Sequence, residues 1–351
     1  MMQPIVLDEN FDAVKILDAY SSLIWTERYN KASDFEFHAP ANMELIDALQ
    51  IGRYLYMEET NKLMMIEQIE IITNVSEGNE LIVSGRSLES ILDRRIIWSK
   101  TVLDGHLEEE ICKILEENIT LPDDPDRQID NFTFEASDDP AIEAMTIRSQ
   151  YTGDNIYSVI QEICEDRGIG FEIYFNPSHQ FVFRLRNGID RSYDQSDNEA
   201  VVFSPAFDNL IKSDYTRSNV SYKTIALIAG QDQGEERKRT TLQPDDATGV
   251  NRREIYIDAR DISQDEGVSD EDYYKLLQQR ASEKMTSYLG TQSFDASMET
   301  SIAAKYNEDF FLGDIVQVQN EYGISGKCRI TELIRSMKSS GYFEYPTFKM
   351  L

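Results

Sequence analysis

Few of the residues that carry enzyme chemistry stand at catalytic spacings in this sequence. Residues Gly85–Glu89 read Gly-Arg-Ser-Leu-Glu and approach the Gly-x-Ser-x-Gly turn that presents a nucleophilic serine, but glutamate occupies the last position. The histidines, His38, His106 and His179, lie in separate regions and are expected at the surface or in turns. The sequence has no phosphate loop, dinucleotide fingerprint or His-Glu-x-x-His pattern. We therefore predict no catalytic and no cofactor-binding residues.

The sequence gives little indication of a metal site. Cys112, Cys164 and Cys328 are far apart, and the sequence contains no Cys-x-x-Cys pair or cluster of His and Cys residues. We therefore predict no zinc site. An odd number of separated cysteines is typical of a chain that folds in a reducing cytosol with free thiols.

Carboxylates dominate the charged residues. The chain has 64 Asp and Glu against 34 Lys and Arg, a net charge of −30, which disfavours binding to nucleic-acid phosphates. Among so many acids, a glycosidase-type pair stays open. Asp-rich turns at 123–126, 194–199 and 265–272 lack the calcium-loop spacing and are expected to be solvated. The basic run Arg237–Arg239 follows two glutamates and predicts a hairpin tip rather than a nucleic-acid contact.

One segment, Gly85–Trp98, predicts a well-defined structural corner. We interpret Gly85 as a turn residue and Ser87 as the N-cap of a short helix. The helix has one apolar stripe and ends in two arginines. The negative C-terminal end of the helix dipole favours cations at this position. The residues concerned are Leu88, Ile91, Leu92, Arg94 and Arg95. The pattern predicts a strand that turns into a helix closing the end of a sheet.

The rest of the chain alternates between β and helical patterns. Period-two alternation predicts strands, and apolar residues at helical spacing predict helices. No apolar run approaches the length of a membrane span, and we expect no membrane insertion. The N-terminus lacks the features of a signal peptide. Strands are predicted at 5–7, 23–29, 34–37, 54–57, 63–72, 80–83, 145–151, 171–175, 180–185, 200–203, 224–228, 253–257, 294–303, 314–319, 328–337 and 342–348, helices at 107–119, 154–167 and 270–289, and a long exposed loop at 229–251.

Two passages of the sequence resemble each other. Residues 51–69 and 312–333 both read as an apolar residue, glycine and a charged residue, then an alternating strand, a turn and a second strand. This internal similarity favours two related β-barrel domains, one near each end of the chain. We therefore predict an α+β fold with two antiparallel β-barrel-like domains and an inserted α/β subdomain. The predicted limits are 1–103 for the first barrel, completed by 200–228, then 104–199 for the insert, and 229–351 for the second barrel with a long helix at 270–289.

Several motifs resemble one known family. Gly85–Trp98 is similar to a signature of phage tail proteins of the tail-hub kind, found in siphophages and prophages. Further pieces are similar to the same family in the same order, from about residue 5 to the C-terminus. They are Leu23–Asn30, Asp34–Phe37, Phe203–Leu210, Ala229–Arg239, Arg252–Ile262, Leu312–Asp314 and Ile330–Glu332.

The resemblance implies a non-enzymatic baseplate hub at the virion tail tip, assembled in the host bacterial cytoplasm. Such proteins form homotrimeric rings in which two barrels per subunit match a sixfold tail tube above and a threefold spike or fibre below. The implied partners are distal tail and tail-tube proteins, a tape-measure protein and a tail fibre or spike, with DNA only as transiting cargo. The sequence ends at Leu351 without a fibre or hydrolase domain, so we expect receptor binding or lysis to fall to another protein.

Two questions stay open at this point. The first is whether part of the negative charge lines a central channel, where it would keep DNA from sticking, or is spread over the outer surface. The second is the alternative function of a tail protein that binds or cuts cell-wall carbohydrate. A hub of a phage-tail-like particle, rather than an infectious phage, fits the same residues.

Overall fold

The chain folds around one large, mainly antiparallel sheet. In this computed structural model the described residues are 2–351 apart from 61, 75, 77, 211, 232–233, 265–267, 289–290 and 298–303. Within these described residues the large sheet has thirteen strands, and three smaller sheets have two, three and three strands. The described helices lie in segments that connect strands. The predicted α+β class, with two β-barrel-like units and an inserted α/β part, is confirmed.

The elements follow one another in this order. The first part of the chain forms β1 (Ile5–Leu7), β2 (Ala13–Ile16), β3 (Ser22–Arg28), β4 (Asp34–Pro40), α1 (Met43–Ala48), β5 (Tyr54–Met57), β6 (Lys62–Asn74) and β7 (Gly78–Ser87). The middle forms β8 (Thr101–His106), α2 (Leu107–Leu115), β9 (Phe132–Phe134), α3 (Pro140–Glu143), β10 (Thr146–Tyr151), α4 (Ile156–Arg167), β11 (Gly170–Phe175) and β12 (Phe181–Arg186). The last part forms β13 (Val202–Phe203), β14 (Lys212–Ser218), β15 (Ile225–Ala229), β16 (Arg239–Leu242), β17 (Glu254–Asp258), α5 (Asp270–Thr286), β18 (Thr291–Ser297), β19 (Ile315–Gln319), β20 (Ser325–Lys338) and β21 (Gly341–Met350).

The large sheet contains the same five-stranded motif twice. The first motif consists of β3 to β7 and has the spatial order β3-β4-β7-β6-β5. The second motif consists of β14 and β18 to β21 and has the order β14-β18-β21-β20, with β19 on the far side of β20. Both motifs therefore run through their strands in the same chain order and pair them in the same way.

The β5–β6 hairpin of the first motif and the β19–β20 hairpin of the second match in detail. Gly52 and Gly313 both have a positive φ, 90° and 95°, which glycine adopts without steric cost. The Gly52 N–H donates to the Ile66 carbonyl at 3.0 Å, and the Gly313 N–H donates to the Ile330 carbonyl at 2.9 Å. The long strand of each hairpin has a β-bulge directly after that isoleucine. The predicted similarity between the passages that begin at residues 51 and 312 is thereby confirmed as a shared fold.

The two motifs are joined directly to each other. Strand β20 of the second motif pairs antiparallel with β3 of the first, from Glu332 opposite Arg28 to Lys338 opposite Ser22. Eight strands, from β14 to β6, therefore form one continuous surface. Each motif has its own apolar core, built around Trp25, Phe35 and Phe37 in the first motif and around Phe203, Phe310 and Phe348 in the second.

Two insertions interrupt the repeated motif. The α/β insert, which follows β7, has its own core of buried residues from α2, α4 and β11. The second insertion lies between β14 and β18, where α5 packs on the sheet β16-β15-β17. Within 200–228, β13 pairs with β19 of the second motif, and β14, which pairs with β18, is itself a strand of that motif. The domain limits given above stay a prediction.

The Gly85–Trp98 corner differs from its interpretation in three ways. Gly85 lies inside β7 without a positive φ, so it is not a turn residue. The helix that follows is a short 3-10 helix, Leu88–Arg94. Ser87 precedes it but makes no side-chain capping bond, because its hydroxyl accepts the N–H of Ser33 at 2.8 Å. The apolar stripe is confirmed, since Leu88, Ile91 and Leu92 are buried.

Other elements agree with the sequence patterns except in a few places. The expected loop at 229–251 contains β16, which pairs with β15. The helix predicted at 107–119 changes at residue 116 from α-helix to π-helix, which runs to 120. The strand predicted at 294–303 is β18 up to residue 297, and its remainder lies outside the described residues. The end of the helix predicted at 270–289 and part of the turn at 265–272 lie outside them as well.

Gly85 is expected to tolerate no side chain. A Cβ atom added there would lie 1.8 Å from the Met65 carbonyl oxygen, which belongs to the paired strand and cannot move aside. We predict that Gly85→Ala lowers the free energy of unfolding by about 1–3 kcal/mol, measured by urea denaturation. Gly105→Ala is the matched control, because its nearest contact is the flexible end of Glu110. Equal stability of the two variants would contradict the close-approach explanation.

Candidate assembly site

The structure does not bring the three histidines together. His38 lies on β4 between Glu36 and Glu80, with 2.8 Å from a ring nitrogen to each carboxylate. Burial opposes protonation of this ring, but the two carboxylates outweigh it and raise the pKa of His38. The other two histidines lie in different elements, where His106 contacts a backbone carbonyl and His179 stacks on Phe175. No pair of histidines can therefore act on one substrate or ion.

The cysteines are buried or half-buried free thiols, as expected. Burial raises the pKa of Cys112 to about 12 and that of Cys328 to about 12, and it raises the pKa of Cys164 as well. Such thiols stay protonated and are poor nucleophiles. Across the part of the chain that the structure describes, no group of three His, Cys, Asp or Glu side chains is placed to hold a metal ion. None of the described helices is long and apolar enough to cross a membrane.

Two buried carboxylates, Glu89 and Glu172, belong to an ionic cluster with a structural role. The Lys62 ammonium lies 3.4 Å from Glu89 and 3.0 Å from Glu172, and all three side chains are at most 8% exposed. Burial opposes ionisation of Glu172, but the Coulomb attraction of Lys62, Arg186 and Arg184 lowers its pKa well below the usual range. Since these carboxylates are ion-paired and closed to solvent, they do not form a glycosidase-type pair. They bind the first motif to the insert.

Tyr29 connects the first motif, the second motif and the insert. Its hydroxyl donates to the Arg186 carbonyl at 3.0 Å and accepts the Gly188 N–H at 3.0 Å. A Cβ atom on Gly170 would lie 2.4 Å from the Tyr29 carbonyl oxygen, and one on Gly313 would lie 2.2 Å from its ring. Glycine at these positions therefore allows the tyrosine to fit between the three parts. Sequence reasoning missed this role, because nothing in the pattern around residue 29 marks a tyrosine as a joint.

Buried ion pairs reinforce the β3–β20 pairing beside Tyr29. Arg335 pairs with Glu27 on β3 and, at 2.8 Å, with Glu344 on β21. At the end of the same seam, Arg28 bonds to Glu332 at 2.8 Å and pairs with Asp34. The signal for the first pair was present in the sequence. Charged residues occupy alternating positions that otherwise face the core, and a charge at such a position requires a buried partner.

The eight-strand surface ends in β6 and β14. At one end, β5 pairs with β6 as far as residue 65, and residues 68–74 pair with β7. At the other end, β14 pairs with β18. Ile71 is 48% exposed and Ile72 is 40% exposed along β6. Large apolar side chains are therefore accessible at the β6 end of the sheet.

The face of this surface that points away from the two cores is polar and of mixed charge. Side chains opposite each other on neighbouring strands share a face, and Glu67 at the bulge is assigned by its ion pair with Arg86. Among the described side chains, the outer face carries seven acids and five bases, a slight acidic excess. The acids are Asp34, Glu36, Glu67, Glu70, Glu80, Asp214 and Glu332, and the bases are Arg28, Arg86, Arg329, Lys338 and Lys349.

The two insertions contact each other through α4 and α5. The Tyr151 hydroxyl donates to Glu283 at 2.6 Å, and Gln279 donates to the other oxygen of this carboxylate at 3.0 Å. Burial raises the pKa of Glu283, while the two hydrogen bonds and Arg280 act against this shift. Lys284 of α5 pairs with Glu162 of α4 at 2.7 Å. The two insertions are therefore held together by direct side-chain contacts.

The basic run Arg237–Arg239 lies between β15 and β16, as the hairpin interpretation predicted. Its described ion pairs are with acids farther along the chain. Arg237 pairs with Asp258 at 2.5 Å and Lys238 with Asp270 at 2.5 Å. These pairs tie the β15–β16 connection to β17 and to the start of α5.

Loss of the buried arginine at the joint is expected to be costly. Arg335→Met leaves Glu27 and Glu344 buried without their cation, and removing one partner of a buried pair costs about 3–5 kcal/mol. We predict a loss of that size in the free energy of unfolding, measured with urea. Lys275→Met removes an exposed pair on α5 and is the control, with an expected loss of at most about 1 kcal/mol. Similar losses for both variants would show that the Arg335 pairs do not hold the joint.

Glu283 is expected to make stability depend on pH. Because burial holds its folded-state pKa above the ordinary value of 4.5, its contribution is full below that value and is lost as pH rises through the folded pKa. Glu283→Gln should flatten the fall in unfolding free energy from about pH 4.5 upward. Glu271→Gln, at an exposed position of the same helix, should leave the profile unchanged. A wild-type slope in Glu283→Gln would contradict this assignment.

Solved structures of phage tail proteins share this fold. A prophage tail protein, gp18, from Listeria monocytogenes is 12% identical with a TM-score of 0.57, over 99% of this chain and 94% of that chain. A tail protein from Neisseria meningitidis is 13% identical with a TM-score of 0.55, over 99% and 96%. A 43 kDa tail protein of prophage MuSo2 from Shewanella oneidensis is 11% identical with a TM-score of 0.58, over 99% and 98%. At these identities the likeness shows the fold.

The family is shown by the sequence itself. No curated protein matches this chain. A family model described as Siphovirus ReqiPepy6 Gp37-like protein matches residues 4–348, which is nearly the whole chain. The expected kinship with phage tail proteins of siphophages and prophages is thereby confirmed, and the chain belongs to the Siphovirus ReqiPepy6 Gp37-like family of phage tail proteins.

Proposed function

We propose that this tail protein is a non-enzymatic baseplate hub whose three copies form a ring at the tail tip. The observation that carries the proposal is the duplicated five-stranded motif, joined edge to edge in one sheet. Two motifs in each of three copies present six similar units around one axis. The two insertions occur once per chain and are therefore repeated only three times.

This combination suits an adapter between rings of different symmetry. Closed rings require the same head-to-tail contact at every subunit boundary, and an internal repeat doubles the number of similar units without changing the number of chains. The six motifs would match a sixfold tail tube or distal tail protein. The three sets of insertions would match a threefold spike or fibre. A tape-measure protein is a further expected partner inside the tail.

The proposed ring would enclose a channel for DNA during ejection. The polar outer face of the eight-strand surface is the candidate wall, since the opposite face is occupied by the two cores. Its slight acidic excess disfavours adhesion of phosphates. Most of the net charge of the chain lies outside this face. Residues 104–199 contain 23 acids and 7 bases, a net charge of 7 − 23 = −16 out of the total of −30. The wall would therefore be weakly acidic, and the insert would carry most of the charge.

One groove favours the alternative function of binding cell-wall carbohydrate. It has a volume of about 550 Å³ and is lined by exposed aromatic rings, Tyr193 and Phe207, together with Glu199, Glu308 and Asp309. Two of these acids are engaged locally, because Asp309 accepts the N–H of residue 305 at 2.7 Å and Glu308 pairs with its ammonium at 3.2 Å. Co-sedimentation with purified cell walls would favour this alternative over the hub.

The mass of the particle in solution tests the hub directly. We predict a species of three 40.4 kDa chains in multi-angle light scattering at high protein concentration. The trimer should persist when Tyr193 and Phe207 are changed to alanine, because the groove is not part of the ring contact. A monomer at every concentration, or a dimer, would contradict the proposal.

A further inference from the structure

We propose that an aromatic groove between the first motif and the insert binds a proline-rich, basic segment of a partner protein. The groove has a volume of about 320 Å³ and lies between β5 and the turn that joins β11 to β12. Its occupant is thus an extended peptide that carries Lys or Arg beside its prolines. The proposal goes beyond the hub function and does not depend on the ring. The lining residues that matter for binding are Tyr56, Tyr174, Phe175, Asn176, Pro177 and His179.

The aromatic surface of the groove is held in place from both sides. Phe11, in the loop between β1 and β2, lies against Phe175 of the insert with 4.3 Å between ring centroids. His179 stacks on Phe175 at 5.3 Å. Phe11 also contacts Tyr54 of β5 at 5.1 Å. These contacts form the groove in the single chain, which lowers the cost of ordering it when a ligand binds.

Two of these rings are carried by strained backbone. Phe11 has a φ of 66° and His179 a φ of 59°, in the left-handed region that residues other than glycine rarely adopt. The His179 N–H donates to the Asn176 carbonyl at 3.0 Å, and the His179 carbonyl accepts from the Asn131 side chain at 3.1 Å. Strained residues of this kind are found preferentially where ligands are held. The strained turn places His179 against Phe175 at the groove.

The polar side chains at the groove are engaged within the chain. The Asn176 side-chain oxygen accepts the N–H groups of Ser178 at 2.9 Å and Gln180 at 3.0 Å. Its amide nitrogen donates to the Gln180 side chain at 3.0 Å, and the Tyr174 hydroxyl donates to Glu135. A sugar is oriented by several polar groups of its site, whereas proline rings require mainly apolar contact. The groove therefore favours a proline-containing ligand over carbohydrate.

The shape of the groove fits a polyproline II segment. Such a segment has three residues per turn and no internal hydrogen bonds, and it docks in grooves lined by aromatic rings. Because its conformation exists before binding, little entropy is lost. An α-helix with its side chains is about 10–12 Å across and would require a larger groove. The rings of Tyr56, Tyr174 and Phe175, together with Pro177, provide the surface that a polyproline segment contacts.

The segments that form the groove are acidic. They are 5–12, which contains β1, 54–60, which contains β5, and the turn 174–180. Burial, followed by the charge of Glu58, raises the pKa of Tyr56, so this carboxylate acts on the groove. Charge complementarity therefore assigns basic residues to the partner segment. The three segments contain no Lys or Arg, and their five acids are Asp8, Glu9, Asp12, Glu58 and Glu59.

An arginine beside the groove does not offset this charge. Arg184 lies over the Tyr174 ring, with 4.8 Å from the guanidinium carbon to the ring centroid. It pairs with Glu135 at 3.2 Å and with Glu172 at 2.6 Å. The charge of Arg184 is therefore compensated by its own carboxylates, and its guanidinium fixes the orientation of the Tyr174 ring.

The fluorescence anisotropy of a labelled synthetic peptide tests the proposal. The peptide has an arginine at each end and about eight prolines between them, nearly three polyproline turns. We expect saturable binding to the wild-type protein. Replacing the prolines by glycine and serine should weaken binding about tenfold or more, because a flexible chain must be ordered. Replacing both arginines by glutamate should weaken it as well, and equal binding of the three peptides would overturn the proposal.

Matched variants locate the bound peptide. Tyr56→Ala combined with Tyr174→Ala should weaken binding about tenfold or more, because two aromatic contacts are lost. Tyr193→Ala combined with Tyr322→Ala removes two exposed tyrosines elsewhere and should bind as the wild type does. Urea unfolding shows whether each variant is folded. Pro177→Arg, at an exposed turn position, is the second test of the groove, because its charge would repel the basic peptide.

The contradicting outcomes are distinct. Wild-type affinity in the groove variants, or loss of binding in the control pair, would overturn the proposal. Displacement of the peptide by chitohexaose would assign the groove to carbohydrate instead. Light scattering on the same samples gives the oligomeric state, and loss of the oligomer in the groove variants alone would assign this face to a second copy. A monomeric wild-type protein that binds the peptide would overturn the ring and support the groove.

Discussion

The pairing of β20 with β3 is the contact on which the rest of the structure depends. It joins two copies of one motif into a continuous surface and places the buried Arg335–Glu27 pair, the half-buried Arg28–Glu332 pair and Tyr29 along the same seam. Burying charge is costly unless every partner is present, so these pairs favour one register over its neighbours. A shift by one residue would move every side chain to the other face, and the arginines would lose their carboxylates.

Tyr29 extends this constraint to the insertions. It lies in the short turn between β3 and β4 and bonds to the backbone just after β12 in the insert. The insert in turn binds α5 of the second insertion through Tyr151 and Arg148. The position of both insertions relative to the duplicated sheet therefore depends on this turn together with the buried Lys62 cluster. Such coupling suits a protein whose proposed task is to present six similar β units and three sets of insertions in a fixed arrangement.

Sequence reasoning recovered the repeated pattern but not the joint. Alternating hydrophobicity and the glycines at 52 and 313 were sufficient to detect the duplication, because period-two patterns and turn glycines are local. The β3–β20 pairing links residues about 300 positions apart, and no local pattern encodes it. For the same reason the Tyr29 contacts were missed, as was the close approach of Met65 to Gly85. The missing side-chain cap of Ser87 reflects a bond between its hydroxyl and the Ser33 N–H, which is also non-local.

The central claim is that the chain is one third of a ring built from six related β units. A cryo-electron microscopy reconstruction of the assembled protein, calculated without imposed symmetry, tests it most directly. The proposed hub predicts six similar β lobes around an open centre, accompanied by three sets of insertions. A closed centre or a different number of copies would contradict it.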